Sequence, residues 1–153
     1  MTHAHDAPTP IARLALQATT HCLAGCGTGE VIGLAGATAF GFGNAASLAI
    51  GIVLAYVFGY ALTLVPLVRA GMPLLRATAV TLAAETISIT VMELVDNAVV
   101  VAVPGAMDAG LFDVLFWASL ALSLALAFVA AYPVNRVLVA RGLGHAIAHG
   151  VHG

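Results

Sequence analysis

The chain predicts an all-α integral membrane protein, a bundle of four transmembrane helices, and three observations carry that expectation. The first is composition. Of 153 residues, 61% are hydrophobic and only 8% charged, whereas an ordinary soluble domain carries about 25% charged residues. Lys is absent and the mean hydropathy is +1.06, so there is too little charge to build a water-facing surface. The second is segment length, and the third is where the arginines fall.

A membrane helix needs about 20 mostly apolar residues to cross roughly 30 Å of hydrocarbon. Helix 1 is expected from about Ile11 to Phe40 and helix 2 from about Ala45 to Val68. Helix 3 is expected from about Leu74 to Val103 and helix 4 from about Leu111 to Tyr132. The breaks between them, 41–44, 69–73 and 104–110, are rich in Gly, Pro and Asn, which relax or forbid helical backbone. The domain organisation read from this is an N-terminal tail over 1–10, a four-helix membrane domain over 11–135, and a His-containing tail over 136–153.

Arg13 precedes helix 1, Arg69 and Arg76 flank the loop between helices 2 and 3, and Arg136 and Arg141 follow helix 4. With four crossings all five fall on one side, whereas three or five would scatter them. Arginine-rich flanks stay cytoplasmic, so both termini are expected in the cytoplasm and the loop bearing Asp108 outside. Heavy Ala, Gly, Val and Arg usage without Lys points to a GC-rich bacterial genome, hence to the bacterial cytoplasmic (inner) membrane. Leu23-Ala24-Gly25-Cys26 reads as a lipoprotein cleavage box. The stretch before it contains Gln17, Thr19, Thr20 and His21, a poor apolar signal core, so no signal peptide is expected.

An internal register is also visible. Arg13 precedes Glu30 by 17 positions, as Arg76 precedes Glu93, and Cys22 then matches Glu85. Pro66-Leu67-Val68-Arg69 likewise matches Pro133-Val134-Asn135-Arg136. This fits two hairpins in the same orientation, parallel repeats of the kind found in transporters with the site between the halves. The alternative is chance likeness between two low-complexity apolar stretches.

Polar residues inside the membrane concentrate in helices 1 and 3. Each ionisable group there costs about 2.5–3.5 kcal/mol on insertion scales. Helical spacing puts Cys22, Cys26 and Glu30 on one stripe of helix 1, with Gly25, Gly29 and Gly33 running beside it. Small residues at that spacing admit a close helix neighbour, so the thiols and Glu30 are expected to face protein rather than lipid. On helix 3, Glu85, Met92 and Asp96 share a stripe, with Ser88 and Glu93 at its edges. Cys22 and Glu85 are expected at one depth, and Glu30, Met92 and Glu93 at a second level nearer the outside.

Glu30, Glu85, Glu93 and Asp96 thus form a set of carboxylates with no Lys or Arg at their depth. A buried carboxylate must be protonated, hydrogen-bonded or bound to a cation, so the core is expected to bind or conduct a cation, a proton included. Some of these groups could instead be hydrated near the outer interface, Glu93 and Asp96 above all. The two cysteines are one turn apart, a spacing at which a regular helix does not readily close a disulfide. With His21 or Met92 they would suit a soft ion such as Cu(I); with His and carboxylate they would suit Zn(II). The sulfur pair favours copper, although buried Cys also serves simply to fill space. His21 alone reads as a hydrogen-bonded core histidine. His3, His5, His145, His149 and His152 occupy the tails; His145 and His149 stand one helical turn apart, a common metal-ligand spacing, but the set reads rather as the scattered histidines of a flexible tail. No Ser-His-Asp arrangement, nucleotide-binding loop or haem-attachment sequence is present, so no enzymatic activity is expected. A net charge of -2 disfavours nucleic acid.

The run from Leu14 to Glu30, LALQATTHCLAGCGTGE, resembles the opening of a bacterial membrane family known as domain of unknown function 4396. The stretch Glu85 to Asn97, ETISITVMELVDN, is similar to its second motif, and the likeness extends from about Arg13 to Arg136. It implies a multi-spanning membrane protein, some of whose members are labelled copper-related, and points to the same residues.

The expectation is therefore a membrane protein that binds or transports a cation, copper foremost, between helices 1 and 3. Metal ligands would be His21, Cys22, Cys26 and Met92. Glu30, Glu85, Glu93 and Asp96 would balance charge or relay protons. A proton-coupled carrier or channel for a small solute, with cysteines that only pack, is the alternative. Another is an accessory subunit of a larger membrane complex. Besides the lipid bilayer, a homo-oligomer or membrane partner is expected.

Overall fold

The computed structural model describes residues 10–142, so the terminal histidines and most of both tails lie outside the described residues. It is all-helical: α1 (Ile11–Ala39), α2 (Asn44–Arg69), α3 (Leu74–Ala102), a 3-10 turn (Ala106–Asp108) and α4 (Val114–Ala140). All four α-helices are long and apolar enough to cross a membrane. The chain is a multi-pass helical membrane protein.

The first two breaks end their helices by the same device. Gly41 and Gly71 take φ of 71° and 90°, a left-handed conformation that glycine adopts without steric cost. The residue after each bonds back across the last turn, Phe42 N–H to the Ala37 carbonyl and Met72 N–H to that of Leu67. This satisfies carbonyls that a helix end otherwise leaves unpaired. Helix 4 starts later than its hydropathy suggests, because Asp113 caps it by accepting from the Leu115 N–H at 2.9 Å. It also runs through Pro133, past its expected end at Tyr132, to Ala140.

Contacts fix an up-down-up-down topology. Gly25, Gly29 and Gly33 of α1 meet Gly59, Leu54–Ala55 and Gly51 of α2 in reverse order. Tyr56, Tyr60 and Thr63 of α2 meet Thr90, Thr86 and Glu85 of α3, again in reverse. Helix α4 returns along α1, with Asn135 donating to Thr19 at 3.0 Å. All five arginines therefore lie toward one end of the bundle, and Asp108 and Asp113 toward the other.

The α1–α2 seam is the tightest. A methyl group on Gly29 would overlap the Leu54 carbonyl, and one on Gly33 would come within 2.7 Å of the Gly51 Cα. Lipid offers no hydrophobic drive between apolar helices, so close backbone approach supplies dispersion instead. Two interior hydroxyls turn back onto their own helices: Thr19 donates to the Ala15 carbonyl at 2.8 Å and Ser123 to that of Leu120 at 2.8 Å. No water is available in hydrocarbon, so this self-satisfaction is what makes them tolerable there. Large apolar side chains face outward, Leu75 86% exposed and Val129 67%, as a lipid-facing surface requires.

Helices α1 and α3 correspond in more than their acids. Each has 29 residues and each begins after a proline in the same backbone conformation, Pro10 (φ -54°, ψ 136°) and Pro73 (φ -55°, ψ 137°). Pro10 and Pro73 stand in the same register as Arg13 and Arg76 or Glu30 and Glu93.

Candidate functional site

Helices α1 and α3 run parallel and touch through side chains of unusual chemistry for a membrane interior. The polar contacts form three tiers along the bundle axis.

The tier nearest the arginine-bearing end holds His21, Thr63 and Glu85. Thr63 Oγ1 donates to Glu85 Oε1 at 2.8 Å and lies 3.2 Å from His21 Nε2. A hydrogen-bonded chain thus runs from α1 through α2 to α3. Cys22 lies just above: Ser88 Oγ donates to its Sγ at 3.4 Å.

The middle tier is sulfur. The Cys26 thiol donates to Met92 Sδ at 3.5 Å, and Cys22 adjoins Cys26 on the inner side. All three are at most 2% exposed, enclosed by Ala55, Ile89, Ala127 and Ala131. The cysteines are free thiols.

The third tier, one helical turn or about 6 Å further along, is carboxylate. Glu30 faces Glu93 and Asp96, and Glu93 in turn faces Asp96. Their exposures are 2%, 6% and 1%. Asn97 Nδ2 donates to Glu93 Oε2 at 3.3 Å. Glu30 lies beside Asp96, yet neither Asp96 oxygen meets a partner in hydrogen-bonding geometry. Three carboxyl groups are thus enclosed together, with no Lys or Arg at their depth.

The expected levels shift accordingly. Met92 belongs with the sulfurs and not with Glu30, and Asp96 completes the carboxylate tier. The two helices pair about one turn out of step with those levels, Cys22 meeting Ser88 and Cys26 meeting Met92. Asp96, the residue most open to being read as hydrated, is almost fully enclosed. Of the expected metal ligands, Cys22, Cys26 and Met92 converge. His21 does not: one residue along a helix turns the side chain by about 100°, and His21 is directed to Thr63. Among the described residues no three His, Cys, Asp or Glu side chains gather around a common point suited to a metal ion.

Four partners are not singled out by the sequence: Tyr56, Tyr60, Thr63 and Asn135, on helices that read as plain scaffold. Tyr56 and Tyr60 bond Thr90 and Thr86 at 2.7 and 2.9 Å. Their signal was available. Tyr56, Tyr60 and Thr63 fall at helical spacing, and Asn135 is a lone amide in an apolar run.

The family model described as Domain of unknown function (DUF4396) matches residues 13–144. The chain belongs to this family. No curated protein and no solved structure matches it. The matched span of this DUF4396 protein contains all three tiers, from His21 to Asn97.

Proposed function

We propose that this DUF4396 protein binds or transports a soft monovalent metal cation, copper(I), between α1 and α3. It would do so in a bacterial cytoplasmic membrane, with the arginine-flanked end in the cytoplasm. The observation that carries the reading is the sulfur tier: Cys26 Sγ is 3.5 Å from Met92 Sδ, with Cys22 beside it, in an enclosure of alanine and isoleucine. Two thiolates and a thioether select Cu(I), and soft ligands of low coordination number suit it better than zinc. Zinc prefers four ligands drawn from sulfur, nitrogen and oxygen, and His21 is directed elsewhere. Binding would displace the thiol protons. Glu30, Glu93 and Asp96 stand one turn away to balance the ion's charge, and Glu85, joined to His21 through Thr63, could relay protons toward the other end. No enzymatic step is part of this reading.

Purified protein from copper-replete cells is expected to hold stoichiometric copper by elemental analysis, and Cys22→Ser/Cys26→Ser to hold none while remaining folded. Metal-free wild-type protein would contradict it.

One observation favours a second reading. The unpartnered Asp96 oxygens suit a proton-coupled carrier in which the cysteines only fill space. In that case the double cysteine variant keeps solute movement in vesicles and Glu85→Gln abolishes it.

A further inference from the structure

A cavity of about 270 Å³ opens at the end of the bundle that carries Asp108. Its mouth is polar and exposed. Asn44 Nδ2 donates to Asp108 Oδ1 at 3.1 Å there, joining the start of α2 to the 3-10 turn. Ser47 and Ser119 line its wall. Its floor is apolar and buried, formed by Leu34, Val100 and Leu120. Leu34 is one turn above Glu30 on α1, and Val100 one turn above Asp96 on α3. A single layer of side chains thus separates the cavity from the carboxylate tier, whose Asp96 oxygens are 1% exposed as a residue and lack any partner.

We propose that this cavity is a hydrated vestibule for cations, through which an ion from solution reaches Glu30, Glu93 and Asp96, with Leu34, Val100 and Leu120 as the gate. This rests on the cation-binding reading above and adds the side from which the site is reached. Three features agree with it. The mouth carries a carboxylate, and no arginine lies at this end. The wall offers hydroxyls that can replace water around an ion. The floor residues Leu34 and Val100 are buried and stand one turn from Glu30 and Asp96 on their own helices. A leucine-valine layer of this kind parts by rotamer change, on a timescale much faster than helix rearrangement.

The test uses thiol chemistry on the full chain in lipid vesicles, with Ser119→Cys and, as an independent wall position, Ser47→Cys. Each is treated with a cationic and an anionic membrane-impermeant methanethiosulfonate of similar size. Val53→Cys, which faces outward and is 60% exposed at mid-helix, serves as the lipid-facing control. Both wall thiols are expected to react, and the Val53→Cys thiol not to. The preference for the cationic reagent should exceed that of a small thiol in solution by roughly tenfold, the gain expected where one sign of charge lines a cleft. Asp108→Asn should remove most of that excess. If neither wall thiol reacts faster than the lipid-facing control, or if the charge preference equals that of the free thiol, the vestibule is refuted. A second measurement separates this from the metal reading. Compared with wild type given the same reagent, which accounts for any reaction at Cys22 and Cys26, modified Ser119→Cys should load Cu(I) at least about tenfold more slowly, to the same final stoichiometry. Unchanged loading refutes the route. Wild-type protein that binds no copper overturns the copper assignment, while the labelling result still decides the vestibule.

Discussion

Helix α1 presents two faces that obey opposite rules. Gly25, Gly29 and Gly33 meet α2 backbone to backbone. Cys22, Cys26 and Glu30, a fraction of a turn away, meet α3 through sulfur and carboxyl groups, one of whose partners, Asp96, has neither oxygen in hydrogen-bonding geometry with a neighbour. The first seam does what membrane folding demands, maximising close contact and leaving nothing polar unpaired. The second does the reverse, and costs stability to keep charge-bearing groups where lipid would exclude them. A residue held against that cost is where function is to be sought.

The contrast is broken most sharply at Gly29. Gly29→Leu would drive a side chain into the Leu54 carbonyl, and backbone cannot yield as a side-chain tip can. A loss of more than about 3 kcal/mol is expected, read as collapse of the SDS-unfolding transition in detergent. Near-normal stability would mean the α1–α2 seam does not hold the bundle together.

The opposite sign is expected across the helix. Asp96→Leu removes two unsatisfied oxygens, and the desolvation relieved is about 1–3 kcal/mol. The variant should unfold later than wild type and lose cation binding. A variant destabilised by a similar amount would show that Asp96 has a structural role.

A smaller effect is expected where α4 joins α1. Asn135→Ala deletes the bond to Thr19 and should cost about 1 kcal/mol, since interhelical hydrogen bonds in membranes average about 0.6 and a cavity adds to that. Smallest is Tyr56→Phe. Thr90 keeps its bond to the Thr86 carbonyl at 2.6 Å, so only about 0.6 kcal/mol is at stake. Unfolding curves in the same detergent rank all four.

How much of this was legible from sequence follows the same division. Hydropathy runs, glycine breaks and arginine placement give helix number and topology, because each responds to the bilayer and not to neighbouring helices. The glycine and cysteine stripes were readable for the same reason: spacing along one helix fixes which residues share a face. Pairing across helices was not. Whether Met92 meets Glu30 or Cys26 depends on an axial offset of one turn, which loop lengths do not determine. Tyr56, Tyr60, Thr63 and Asn135 were missed because hydropathy averages hide single polar residues in strongly apolar helices. His21 was grouped with the cysteines by adjacency in sequence, whereas adjacency on a helix separates faces.

The reading stands most directly on the sulfur tier. Copper-edge X-ray absorption of protein loaded with Cu(I) should show sulfur as the nearest neighbours, with one fewer sulfur in Met92→Leu and an unchanged spectrum in His21→Ala. A spectrum dominated by nitrogen or oxygen neighbours, or one indifferent to Met92→Leu, would contradict it.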